Sequence, residues 1–271
     1  MSQTASAVKR TGMIGLGAMG LQMARHMQAK GFDVLGHDID TAAIQRAQAH
    51  RLRIAGADEV ARHAEIVIVM VATDAQVRQV AHELIGKLAP GSVICIASSV
   101  APDTCRELAA LAAARSIGVL DTPMVLGQEA ADNGTATVYV GGEPRWFDRA
   151  EPVLATFGAN VLHLGDVGSG QIAKTINNML LWACMAANFE ALTLAKQLGA
   201  NLPKLIAALG HGSGANWSLS RWGKSSGKWA GKDMDVALEL AQAARVPAPL
   251  AGLVDQLMKG INQERMKALL G

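Results

Sequence analysis

Gly15-Leu16-Gly17-Ala18-Met19-Gly20 follows an apolar run that begins at Thr11 and precedes a stretch rich in alanine and methionine. Three glycines spaced G-x-G-x-x-G between a strand pattern and a helix pattern have a physical reading. The first makes a tight turn, the second lets backbone come close to a pyrophosphate, and the third lets helix and strand pack closely. The free N–H groups and dipole of the helix then face the anion. A second apolar run leads to Asp38, 18 residues beyond Gly20. That is where an acid accepts from the 2′-hydroxyl of a dinucleotide's ribose. Gly15, Leu16, Gly17, Ala18, Met19, Gly20, Asp38 and Ile39 are therefore the expected cofactor-binding residues. A carboxylate repels a 2′-phosphate. No Arg or Lys follows it in Ile39-Asp40-Thr41, so NAD is expected over NADP.

Working outward, short apolar runs at 11–16, 33–37, 66–71, 92–97, 119–120 and 137–140 alternate with amphipathic stretches at 19–30, 40–49, 74–88 and 102–115. Alternation of this kind predicts βαβ units and a mostly parallel sheet. The run Ile66-Val67-Ile68-Val69 is apolar at every position, as in a strand buried on both faces. Beyond about residue 163 the texture changes. From Gln171 to Leu198 there is neither Gly nor Pro, and the middle of the stretch is apolar nearly all round. A long buried helix over about 168–198 is predicted, ending at Gly199. Only helical patterns follow, at 203–209, 233–244 and 250–270. The expected fold class is α/β: a Rossmann-type, doubly wound parallel sheet, then a long helix and an all-helical second domain. The expected division is 1–165 and 166–271.

Composition removes other classes. Lys+Arg number 25 and Asp+Glu 23, a net charge of +2, and aromatic residues are 4% of 271. Neither a basic surface nor a stacking platform for nucleic acid is indicated. Three scattered cysteines, Cys95, Cys105 and Cys184, make a poor disulfide framework and fit a reducing compartment. The polar N-terminal stretch and the lack of any run near 18–20 apolar residues argue against a signal peptide or a membrane span. A cytoplasmic location is expected. Seven histidines show no H-E-x-x-H or Cys/His ligand spacing, so no metal site is expected.

Lys174, Asn177 and Asn178 sit at i, i+3 and i+4, which puts an ammonium and two amides on one helix face. Their surroundings are apolar, and a desolvated lysine has a lowered pKa suited to general acid–base work.

Together these residues resemble the β-hydroxyacid dehydrogenases, the 3-hydroxyisobutyrate dehydrogenase family. The resemblance is carried by the glycine loop, by Ser98-Ser99 with Pro102, by Asp121-Thr122-Pro123-Met124, and by Gly134 with Gly141-Gly142. Gly168-Ser169-Gly170 with Lys174-Thr175-Ile176-Asn177-Asn178, and Lys232-Asp233, complete it. It implies a hydride transfer between NAD(H) and a 3-hydroxy acid or its semialdehyde. Lys174 is then the catalytic acid/base, and Asn178 orients the substrate oxygen or Lys174. It further implies that Val71, Ala72 and Ser99 flank the nicotinamide, that Ser99 also serves the substrate, and that Lys232 reaches the cofactor. The substrate is expected between the two domains, and the protein is expected to be a homodimer or homotetramer.

Two departures stand out. Where the family's loop reads Ser-Gly-Gly and grips a carboxylate, this chain has Val125-Leu126-Gly127. These three are the remaining expected substrate-binding residues, and either a less polar substrate or a repacked loop follows. The stretch 218–231 is also short, with Arg221, Lys224 and Lys228 interleaved with Trp222 and Trp229. It reads as a charged lid or as a solvated loop anchored by its tryptophans. The decarboxylating phosphogluconate dehydrogenases share the architecture but carry a Glu where Leu181 stands. An imine reductase of similar architecture, or a dinucleotide-binding sensor without catalysis, is the alternative reading.

Overall fold

The computed structural model describes residues 8–224 and 227–270. The chain forms two compact units that divide between Lys174 and Thr175. In the first, β1 (Arg10–Ile14), α1 (Ala18–Ala29), β2 (Asp33–His37), α2 (Thr41–Ala49), β3 (Arg53–Ile54) and α3 (Ala57–His63) open the fold. Next come β4 (Ile66–Val69), α4 (Asp74–Lys87), β5 (Val93–Ile96), α5 (Pro102–Ala113), β6 (Gly118–Asp121) and β7 (Met124–Val125). Then α6 (Gly127–Asn133), β8 (Ala136–Gly141), α7 (Pro144–Leu154) and β9 (Gly158–Gly165) lead to α8 (Ser169–Gln197).

The sheet order is β3-β2-β1-β4-β5-β6-β8-β7, with β9 paired to β8. The strands from β3 to β6 are parallel neighbours. The expectation of a doubly wound, mostly parallel sheet is met. The departure lies at the far side, where β8 runs antiparallel to β6 and β7. The chain after β1 winds one way to β2 and the other way to β4, so the order reverses between β1 and β4. Open α/β sheets hold their ligands outside the carboxyl ends of the strands at such a point.

Alternation in β4 and β5 explains why both faces are covered. Ile66, Ile68, Val93 and Cys95 belong to one core with Leu21, Met23, Ala24 and Met27 of α1 and Val153 and Leu154 of α7. Val67, Val69, Ile94 and Ile96 belong to a second core with Val60 of α3, Leu84 and Ile85 of α4 and Leu108 of α5. Side chains at successive strand positions point to opposite faces, so a strand apolar at every position demands helices on both. Burial pushes the thiols of Cys95 and Cys105 upward in pKa, which keeps them protonated.

Strand β2 ends at His37, one residue before Asp38. The stretch expected as one helix over 250–270 is two: α12 (Pro249–Lys259) and α13 (Gln263–Leu270), after α9 (Leu202–Leu209), α10 (Trp217–Ser220) and α11 (Ala230–Ala243). The break falls at Gly260 and Asn262, and the Asn262 side chain accepts from Arg265 N. In the second unit Trp182, Met185, Leu219, Trp222, Met234, Val254, Met258 and Met266 form the core. Of the two tryptophans read as anchors, Trp222 is buried and donates to Met266 O at 3.2 Å, whereas Trp229 is 59% exposed. Residues 225 and 226 of that segment lie outside the described residues. No helix among the described residues is long and apolar enough to cross a membrane.

Candidate active site

The glycine loop sits at the β1/β4 reversal. Gly15 adopts φ +93°, which only glycine takes freely. Its N–H donates to His37 O at 2.9 Å. A Cβ on Gly15 would lie 2.1 Å from Met70 O, so the turn is pressed against the chain leaving β4. A Cβ on Gly20 would lie 2.0 Å from Gly15 O, which makes Gly20 the close-packing glycine. Gly17 is different: a Cβ there meets no protein atom within 4 Å. It is exposed, as is Ala18, and it is the N-cap of α1 with no capping side chain. Open backbone at an uncapped helix start has the donor chemistry for a pyrophosphate. The Leu16 side chain is buried in the core, and its N–H donates to Asp38 Oδ2 at 2.5 Å. Asp38 Oδ1 accepts from Asp40 N at 2.8 Å. The acid thus secures the loop, and a carboxylate keeps further lone pairs for a ribose hydroxyl. Ile39 beside it is 85% exposed. These residues fit a nicotinamide dinucleotide.

The next strands bring the other expected residues of the first unit to the same edge. Val71 and Ala72 follow β4, and Ser99 follows β5. Ser98 joins them: its Oγ accepts from Val71 N at 2.8 Å and lies 2.9 Å from Val71 O.

Asp121 and Gln171 organise the start of α8, and sequence reasoning assigned neither of them this work. The Asp121 carboxylate is fully buried and accepts from Gly168 N at 2.6 Å and Gln171 N at 2.8 Å. Gly170 is held to it so closely that a Cβ there would sit 2.8 Å from Asp121 Oδ2. The Gln171 side chain is buried, donates to Ser98 O at 2.7 Å and accepts from Val100 N at 3.3 Å. It therefore grips the backbone on both sides of Ser99. Only two letters in the sequence hinted at this: an acid closing a strand, and an amide one turn before a lysine.

Burial raises the Asp121 pKa above the ordinary carboxylate value, against the lowering by its backbone donors. A raised folded value means that stability is lost as pH rises from the ordinary value through the raised one. Asp121→Asn removes that titration. It also turns an NH2 toward a backbone N–H, leaving a buried donor unsatisfied at about 1–3 kcal/mol. A lower denaturation midpoint at neutral pH is expected in urea; an unchanged midpoint would mean that the carboxylate does not anchor α8.

Lys174 is half-buried on α8, and its Nζ donates to Met124 O at 2.5 Å. Met124 and Val125 are buried in β7, paired with Val138 and Thr137 of β8. Leu126 follows with φ 79° and ψ 4°, a left-handed conformation that costs a non-glycine residue about 1–2 kcal/mol. Gly127, also at positive φ, begins α6. So hydrogen bonds join Val71 to Ser98, Ser98 to Gln171 and Lys174 to Met124, and Gln171 and Lys174 lie one turn apart on α8 in the first unit.

In the second unit Asn178 is buried, and its Oδ1 accepts from Asn177 Nδ2 at 3.0 Å. Lys232 is exposed in the first turn of α11, where its neighbour Asp233 accepts from Trp182 Nε1 at 3.0 Å. Among the described residues no cluster of His, Cys, Asp and Glu suits a metal ion.

Known proteins resemble this chain along nearly its whole length. Residues 10–165 match the NAD binding domain of 6-phosphogluconate dehydrogenase. Residues 168–269 match the family described as the NAD-binding domain of NADP-dependent 3-hydroxyisobutyrate dehydrogenase. The chain is 34% identical to 3-hydroxyisobutyrate dehydrogenase of Pseudomonas aeruginosa, over 90% of this chain and 89% of that protein. It is 30% identical to the NAD-dependent L-serine dehydrogenase of the same organism, over 93% and 92%. The solved structure of Mycobacterium tuberculosis 3-hydroxyisobutyrate dehydrogenase with L-serine aligns with a TM-score of 0.88 at 25% identity, covering 97% of this chain and all of that one.

Proposed function

Because this chain belongs to the 3-hydroxyisobutyrate dehydrogenase-like family of β-hydroxyacid dehydrogenases, we propose that it moves a hydride between NAD(H) and a 3-hydroxy acid or its semialdehyde, with Lys174 moving the proton. Membership makes it an NAD(P)-dependent dehydrogenase acting on a small substrate. The single observation that carries the finer reading is the hydrogen bond from the Lys174 ammonium to Met124 O, one helical turn along α8 from Gln171, whose side chain holds Ser98 O.

The nicotinamide, when bound, takes up or supplies the hydride at the carbinol carbon. The chain's own residues do the rest. In oxidation the neutral Lys174 amine accepts the hydroxyl proton and becomes the ammonium, and in reduction that ammonium donates a proton to the developing alkoxide. Met124 O holds the ammonium in place between turnovers. Gln171 fixes the backbone around Ser99, whose hydroxyl is the proposed contact to nicotinamide and substrate. Val71 and Ala72 line the nicotinamide side, and Val125, Leu126 and Gly127 face the substrate; for Asn178 and Lys232 the assignment rests on the family resemblance alone. The two relatives named for L-serine and 3-hydroxyisobutyrate support a β-hydroxy acid as the substrate class.

Asp38 supports NAD rather than NADP. Its carboxylate accepts from a 2′-hydroxyl and repels a 2′-phosphate, and like charges brought together cost several kcal/mol. The expected kcat/KM ratio of NAD over NADP is at least about ten-fold, equivalent to about 1.4 kcal/mol. Asp38→Ser narrows that ratio. Steady-state rates at the reduced-nicotinamide absorbance band with both cofactors are the check, and equal or better turnover with NADP overturns the assignment.

A further inference from the structure

We propose that Leu126 is a specificity-determining residue, an apolar wall that selects 3-hydroxy acids whose aliphatic substituent on C2 is longer than the methyl group of 3-hydroxyisobutyrate. This deepens the reading of the reaction given above and rests on it.

Four non-glycine residues among those described have positive φ: Arg51, Ser116, Leu126 and Arg245. Three of them have an evident structural reason. Each follows a helix and lets the next residue close back on it: Leu52 N donates to Ala47 O at 3.1 Å, Ile117 N to Ala112 O at 3.2 Å, and Val246 N to Ala241 O at 2.9 Å. Such bonds satisfy the last helix carbonyls and reward the left-handed residue. Leu126 is the one apolar residue of the four, and it begins a helix instead of ending one. No closing bond of that kind arises at a helix start.

Val125 is buried in β7, but Leu126 after it is 37% exposed. Glycine takes this conformation without penalty, so the strain is retained for what the leucyl side chain meets. Its position says what that is. Met124, whose carbonyl receives the Lys174 ammonium, is two residues away, a span of at most about 7 Å. A substrate oxygen served by Lys174 therefore places its C2 substituent within reach of Leu126. A longer aliphatic substituent there takes more apolar surface of both partners out of water than a methyl group does.

The test is a series of 3-hydroxypropanoates carrying hydrogen, methyl, ethyl or n-butyl at C2, assayed with NAD on the whole chain. The wild-type kcat/KM rises along the series. In Leu126→Gly, which fits the backbone, the ratio of the n-butyl to the methyl member falls at least about ten-fold, the discrimination one methylene supports. Leu126→Asn, which also tolerates the left-handed conformation, shifts it in the same direction and guards against an effect of added flexibility. A ratio within two-fold of wild type in both variants, with turnover intact, overturns the role of Leu126 and leaves the reaction standing. Absence of turnover of every member, with NAD and with NADP, overturns the reading of the reaction and this inference with it.

Discussion

Lys174→Ala is expected to lower kcat by about 10²–10⁴-fold, the range that a positioned general acid or base contributes, while NADH still binds. The reason is chemical. An alkoxide left by hydride arrival needs a proton, and in oxidation the hydroxyl must lose one. Among the first unit's expected site residues, Lys174 alone offers a titrating nitrogen, and it is anchored on Met124 O beside the proposed substrate loop. Lys174→Arg separates proton transfer from mere charge. A guanidinium keeps the positive charge but does not give up its proton in a protein. The arginine variant is therefore expected to remain close to the alanine variant in kcat. NADH fluorescence titration supplies the binding control. An alanine variant that keeps most of its turnover, or an arginine variant that restores it, would show that Lys174 is an electrostatic or structural residue.

The second large effect concerns the three loop glycines, which the motif treats alike and the structure does not. Gly20→Ala would by helix propensity stabilise α1 by up to about 1 kcal/mol. The new Cβ would instead stand 2.0 Å from Gly15 O and 2.7 Å from Met13 Cε. The methionine tip can swing away, but the carbonyl is backbone, so α1 must lift from β1. The clash is expected to exceed the roughly 1–3 kcal/mol of ordinary overpacking and to abolish cofactor binding along with much of the fold. Gly15→Ala meets the same fate through Met70 O at 2.1 Å and through its positive φ. Gly17→Ala is the contrast. With φ −63° and no protein atom near its Cβ, it is expected to melt near wild type yet bind NADH weakly, because the methyl group stands where a pyrophosphate must approach. Thermal melts with and without NADH distinguish the three. A Gly17→Ala protein with wild-type NADH affinity would sever the loop from the cofactor.

Much of this molecule was legible in its sequence because the signals were local. Ile66-Val67-Ile68-Val69 announced a strand buried on both faces, and two separate cores cover it. The glycine spacing and the strand before it located the loop and α1, and the uninterrupted apolar stretch from Gln171 announced α8. What went unread was short or exposed. Strand β7 has two residues, too few for any periodicity. Strand β9 is exposed or half-buried along most of its length, and no apolar run marked it. The single helix expected over 250–270 failed because apolar period alone does not register an Asn that caps a new start.

The sequence by itself determined the fold class and the kind of chemistry, since periodicity, glycine spacing and a lysine with two amides at helical spacing are properties of neighbouring residues. Only the tertiary structure decided how those parts meet. Asp121 anchors the start of α8 from 47 residues away, and Gln171 holds the backbone beside Ser99 from 73 residues away. It also separated Gly17, open to a ligand, from Gly15 and Gly20, closed against backbone, and it showed Leu126 held in a conformation made for glycine. Buried carboxylates, close backbone approaches and strained torsions are fixed by what lies across the fold, so no window along the chain contains them.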